Sequence, residues 1–244
     1  PKIMEEIVND VRDYKIGEIQ FDDDTLTVNK KNLFSLCKEL EKVGVPWCTP
    51  NGTKVNYHLR DQYDMYKAMA DAGCYQITLA CESGNQRVLN DVIKKRLPLE
   101  TIKPAIENAK KAGLLVHTFW ILGYVGETYE EMLETIEFAQ NCGADSFTFS
   151  VLTPLSGTPV YRQVIKENLW WDGKENQKTF RSSLIKVDGF SGPDEFENFV
   201  NQANMDSNLL LKKRDIKRFN SKYSLAAKVR NKEMDDESFF VKQT

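Results

Sequence analysis

Met65-Tyr66-Lys67-Ala68-Met69-Ala70-Asp71-Ala72-Gly73 runs directly into Cys74-Tyr75-Gln76-Ile77-Thr78-Leu79-Ala80-Cys81, and that run ends in Glu82-Ser83-Gly84-Asn85. Met65, Met69 and Ala72 recur at helical spacing. Gly73 supplies the left-handed residue that stops a helix. Ile77, Leu79 and Cys81 then alternate as a strand does, and the strand finishes on a carboxylate followed by turn residues. Helix, glycine, strand and polar tip form one unit.

The unit recurs on both sides. Upstream, Leu33, Leu36, Leu40 and Val43 share a helix face, Gly44 stops it, and Val45 to Cys48 reads as a strand. Downstream, Ile102, Ile106, Ala109 and Ala112 precede Gly113 and a strand over Leu114 to Leu122. Met132, Ile136 and Ala139 precede Gly143 and a strand over Ser146 to Val151, with Thr128 and Glu131 as a capping box. An amphipathic opening, Ile3 to Tyr14, leads into Gly17 to Phe21, and Val88, Leu89, Val92 and Ile93 predict a short extra helix. Strands separated by helices must be parallel. The class is therefore α/β, as a (β/α) barrel or a doubly wound sheet. The opening helix has no strand before it and the chain starts at Pro1, so the sequence reads as a fragment cut in its first unit. The repeat stops after Trp171. Residues 1–170 are expected to form the barrel and 171–244 an extension of loops and helix. Within it, 212–232 holds nine basic residues against Asp215 alone.

The formal charge of −3 gives no strong nucleic-acid signal, and no apolar run is long enough for a transmembrane helix. Cys37, Cys48, Cys74, Cys81 and Cys142 are too far apart for a zinc ribbon or a redox pair. They read as buried thiols in a reducing compartment, which points to the cytoplasm. His58 and His117 are too few for a histidine-rich metal site.

In parallel α/β folds the chemistry lies at the carboxyl ends of the strands. The tips are Asp22-Asp23-Asp24, Thr49-Pro50-Asn51-Gly52, Glu82-Ser83-Gly84-Asn85, Gly123-Tyr124-Val125-Gly126-Glu127 and Thr153 to Pro159. Crowded carboxylates at Asp22 to Asp24 suit a cation or a ligand ammonium, or else cap a helix. Glu82 could accept two hydrogen bonds from a ribose diol, or act as a loop carboxylate. Gly123 and Gly126 allow close approach of backbone to a flat ligand, or serve turn geometry. Arg60 could pair with a ligand carboxylate.

These strings together resemble the radical S-adenosylmethionine (SAM) superfamily, in particular the subgroup whose members often carry an upstream cobalamin-binding domain. The strings are Ile19 to Asp24, Ala80 to Leu89, Ile121 to Thr128 and Leu152 to Pro159. The resemblance implies a partial, TIM-like six-stranded (β/α) barrel, of which strands two to six match here. It implies Asp23 or Asp24 at the SAM amino group, Glu82 at the ribose hydroxyls with Ser83 nearby, and Arg60 as a candidate for the SAM carboxylate. Ile121 and Gly123 would flank adenine, with backbone near Thr153 completing its recognition. Val125 departs from the proline usual in the family's GxPGET turn. The family's CxxxCxxC motif, which holds a [4Fe–4S] cluster, is not in this sequence and is expected just before Pro1. The parent would then form a 5′-deoxyadenosyl radical or transfer a cobalamin-bound methyl group to an unknown substrate. Two other readings remain. One is a non-radical barrel lyase with a metal at Asp22 to Asp24 and Arg60 or Lys95 as charge clamp. The other is an empty barrel that docks an anionic partner or lipid through 212–232.

Overall fold

The computed structural model describes residues 2–23, 26–174 and 182–214. Asp24 and most of the basic segment, 215–232, lie outside the described residues. Helices α1 (Lys2–Tyr14), α2 (Lys30–Val43), α3 (Gln62–Asp71), α4 (Ile102–Lys111) and α5 (Tyr129–Asn141) alternate with strands β1 (Ile19–Gln20), β2 (Trp47–Lys54), β3 (Cys74–Glu82), β4 (Leu115–Leu122) and β5 (Ser146–Val151). Two further helices follow, α6 (Pro159–Lys166) and α7 (Pro193–Arg214). The strands are parallel and lie in the order β1-β2-β3-β4-β5. A doubly wound sheet reverses its order at a switch point. The unbroken sequential order is that of a partial barrel.

The local signals fold as read. Gly44, Gly73, Gly113 and Gly143 all have positive φ and lie just beyond the ends of α2 to α5. Thr128 and Glu131 form both hydrogen bonds of the capping box. The short extra helix is a π-helical turn, Val88–Val92. Alternation along the strands separates two faces. Ile77, Leu79 and Cys81 of β3, and Val116, Thr118, Trp120 and Leu122 of β4, are buried. Of their neighbours, Ala80, Glu82, Phe119 and Ile121 are only half-buried. All five cysteines are free and buried.

Three features differ from the expectation. Pro50-Asn51-Gly52, read as a loop, lies inside β2. The register steps from Thr49 opposite Ile77 to Thr53 opposite Leu79, so these residues form a bulge that takes up the proline. Gly52 is needed there, because a Cβ would lie 2.6 Å from the Cβ of Ala80. The Thr153 to Pro159 tip ends in α6, with Thr158 as N-cap and Pro159 in the first turn. Beyond residue 171, α7 buries Phe196, Val200 and Ala203 and lies against β5. The side chain of Asn204 accepts from the Phe149 N–H at 2.9 Å and donates to its carbonyl at 3.0 Å, so a side-chain amide covers part of the outer edge of β5. Trp170 is buried and packed edge-on against Tyr161.

Candidate functional site

Glu82 is the last residue of β3. The register between β3 and β4 shifts between Ala80, opposite Phe119, and Glu82, opposite Trp120. Cys81 is the extra residue of this bulge. Glu82 itself has φ +71°, a left-handed conformation that costs a non-glycine residue about 1 kcal/mol or more. Bulge and turn together aim the side chain inward. Its carboxylate Oε1 accepts a 2.7 Å hydrogen bond from Lys95 Nζ, and the Tyr124 phenol lies near the same carboxylate. Burial, then the nearby Glu82 and Glu127 carboxylates, hold the Tyr124 phenol well above its usual pKa, so it stays a donor.

Glu82 opens into a cavity of about 410 Å³ at the carboxyl end of the sheet, lined also by Asn51, Gly52, Phe119, Ile121 and Ser150. Asn51 Nδ2 donates to the Asp22 carbonyl at 2.8 Å, which ties the β1 tip to the cavity rim. Asp22 and Asp23 are exposed. They do not cap α2; Asn29 does, accepting from Asn32 N–H. Arg60 is exposed in the turn before α3, next to Asp61, which pairs with Lys30 at 2.6 Å. That turn reaches the β1 loop through His58 Nε2, 3.0 Å from the Thr27 carbonyl. Ile121 therefore lines the cavity with Glu82, and Asp22 and Asp23 adjoin it through Asn51. Thr153 follows β5, half-buried.

The remaining residues of the Glu82 string face elsewhere. Ser83 is buried with its hydroxyl 3.0 Å from that of Thr135 in α5, and Thr135 also accepts from Gly84 N–H. A Cβ on Gly84 would meet Phe138 and Thr135 of α5 at 2.7 and 2.8 Å. Asn85 donates to Glu134 at 2.6 Å. Gln86 donates to the Leu97 carbonyl and accepts from Leu99 N–H. Arg87 pairs with Glu131 and donates to the Gly126 carbonyl at 2.8 Å. Four of these residues rivet the β3 tip to α5 and to the β4 tip, and Gln86 ties it to the loop at Leu97 to Leu99.

Gly123 has φ +82°, and its Cβ position is filled by Phe196 of α7 and Val187. The close approach at this glycine is to the protein's own aromatic ring. Gly123 N–H and Tyr124 N–H both donate to Glu127 Oε2, at 2.8 and 3.0 Å. Glu127 is 2% exposed and its Oε1 is buried with no hydrogen-bond partner. Burial outweighs the two N–H donors and pushes its pKa up to about 7. Sequence reasoning named Lys95 only as a charge clamp of the alternative lyase reading, and Tyr124 and Glu127 only as part of the β4 tip; it did not foresee the Lys95–Glu82 pair or the burial of Glu127. The signal for Glu127 was its place four residues after a strand-end glycine, within reach of that turn's free N–H groups.

Among the described residues, no group of three His, Cys, Asp or Glu side chains could hold a metal. The metal reading at Asp22 to Asp24 includes Asp24, which lies outside the described residues. The Glu82 cavity has the size and the mixed polar and aromatic lining of a small-molecule site. Among the described residues, no helix is long and apolar enough to cross a membrane.

Comparison with known proteins places this geometry. A cytidylyl-2-hydroxyethylphosphonate methyltransferase of Streptomyces wedmorensis is 32% identical over 84% of this chain and 39% of its own length. An uncharacterised methyltransferase of Pyrococcus horikoshii is 32% identical over 78% of this chain and 40% of its own length. The chain thus spans about two fifths of the length of these relatives. Among solved structures, the radical S-adenosylmethionine methyltransferase TsrM of Kitasatospora setae, with cobalamin and a [4Fe-4S] cluster bound, shares the fold. Its TM-score is 0.57 at 13% identity, over 78% of this chain and 36% of TsrM. The profile of the radical SAM superfamily matches residues 2–139, more than half of the sequence. The chain belongs to the radical SAM superfamily, enzymes that use S-adenosylmethionine with a [4Fe–4S] cluster.

Proposed function

We propose that this chain is the SAM-binding part of the barrel of a cobalamin-dependent radical SAM methyltransferase. The observation that carries the proposal is Glu82, a strained carboxylate at the strand-end cavity, held there by Lys95. In this reading Glu82 accepts hydrogen bonds from the ribose diol, and Ser83 fixes the turn behind it. Adenine lies against Ile121, with backbone near Thr153 completing its edge; the space at Gly123 is taken by Phe196. The methionine moiety lies toward β1, its ammonium on Asp23 or Asp24 and its carboxylate toward Arg60. The methyltransferase names of the relatives support the reaction class. Cluster and cobalamin belong to residues outside this sequence, where they supply an electron and a methyl carrier. The part of this chain is to bind and orient SAM and to keep water from it.

The test is binding of SAM to the full-length protein, reconstituted anaerobically with iron, sulfide and cobalamin. Glu82→Ala is expected to weaken binding about tenfold or more, the loss typical of hydrogen bonds to a charged group. Full-strength binding by that variant, or no SAM binding by the parent, overturns the reading.

A further inference from the structure

Lys94-Lys95-Arg96 connects the π-helical turn at Val88–Val92 to Leu97. Three consecutive cations on a surface loop ordinarily point to solvent, and Lys94 and Arg96 do. Lys95 turns inward. Its Nζ donates to Glu82 Oε1 at 2.7 Å and to the Ala80 carbonyl at 2.8 Å, and its side chain is 15% exposed against 20% for Glu82.

The backbone is distorted to place it. Lys94 has φ +59° and Arg96 φ +53°, so both neighbours of Lys95 are left-handed without being glycine. Glu82, the partner, has φ +71°. Each such residue costs about 1 kcal/mol or more, and in a mostly buried ion pair the desolvation of both charges offsets much of their attraction. The pair does not repay the strain as stability. The loop is fastened nonetheless: Lys95 N–H donates to the Leu89 carbonyl, Asn56 donates to that of Arg96, and Gln86 to that of Leu97. Three strained residues therefore converge on one carboxylate.

We infer that Lys95 is a positioning residue: it fixes Glu82 through Oε1 so that Oε2 meets the ribose hydroxyls of SAM. A carboxylate can accept about four hydrogen bonds. Lys95 uses one, which leaves room for a cis-diol. Unheld, a glutamate in a half-open cavity has three free torsions, and binding must pay to order them. This inference rests on the SAM reading of Glu82 above.

The experiment compares SAM with its 2′-deoxyribose analogue on the anaerobically reconstituted full-length protein, for wild type, Lys95→Met and Lys95→Arg. Wild type is expected to prefer SAM over the deoxy analogue. Lys95→Met should lose about tenfold in affinity for SAM but only about threefold for the analogue, because one of the two hydroxyl bonds being positioned is then absent. Lys95→Arg keeps a cation within reach and should recover most of the loss. Should Lys95→Met not fold, Lys95→Gln, which retains a donor for the Ala80 carbonyl, serves the same comparison. Equal losses for both ligands make Lys95 a structural clamp only; the inference falls while the SAM reading of Glu82 stands. A wild type that binds SAM but does not distinguish it from the analogue removes Glu82 from the ribose, and both fall.

Discussion

The tips of β3 and β1 both end in acidic residues at the same end of one sheet, yet they are built differently. After Glu82, each of the next five residues is tied to α5 or to a neighbouring loop. After β1, which is two residues long, Asp22 and Asp23 are exposed and carry, among the described residues, the tie from Asn51 to the Asp22 carbonyl. The contrast shows how one site divides its labour. The β3 side is preorganised and suits a ligand group that must be held in one orientation, as a ribose diol must. The β1 side presents charge in high dielectric, which suits a flexible, zwitterionic tail. Preorganisation lowers the ordering cost of binding, and here it is concentrated on one side of the cavity.

The comparison can be broken by substitution. The largest expected effect is at Gly84, where a Cβ meets the backbone of α5; Gly84→Ala should lose about 3 kcal/mol in denaturant unfolding. Next is the pH dependence of the β4 tip. Glu127 binds its proton more tightly folded, at about 7, than unfolded, at 4.5. Its contribution is therefore complete below about pH 4.5 and fades as the pH rises through 7. Unfolding followed from pH 5 to 8 should show wild type losing about 2 kcal/mol relative to Glu127→Gln, which cannot titrate. A flat difference means that the carboxylate is not buried as described. Third, Arg87→Ala leaves Glu131 with its capping hydrogen bonds but no cation. A loss of about 1 kcal/mol is expected, reduced because Arg87 is half exposed. Smallest, Asn51→Ala at the β1 tip should cost less than about 0.5 kcal/mol of stability. If Asn51→Ala proves as costly as Gly84→Ala, the two tips are not different in kind.

Much of this was legible in sequence because it is local. Helix-stop glycines at Gly44, Gly73, Gly113 and Gly143 need only their own backbone conformation, and the Thr128–Glu131 box only its own turn. Strand alternation showed which side chains of β3 and β4 are covered. What escaped depends on distant partners. Pro50 and Gly52 look like a turn until Ala80 is seen beside them. Gly123 looks like a ligand platform until Phe196, more than seventy residues on, is seen filling the space. Lys95 looks like one of three solvated cations, since nothing in its neighbours' identity reveals two left-handed backbones. The string from Glu82 to Arg87 did not divide its roles in sequence. One residue faces the cavity, and the others hold it there.

A structure of the full-length protein with SAM bound tests the central claim most directly. The account predicts both ribose hydroxyls within about 3.2 Å of the Glu82 carboxylate, with Lys95 still on Oε1 and adenine against Ile121. A nucleoside seated elsewhere, with Glu82 touching only Lys95, would contradict it.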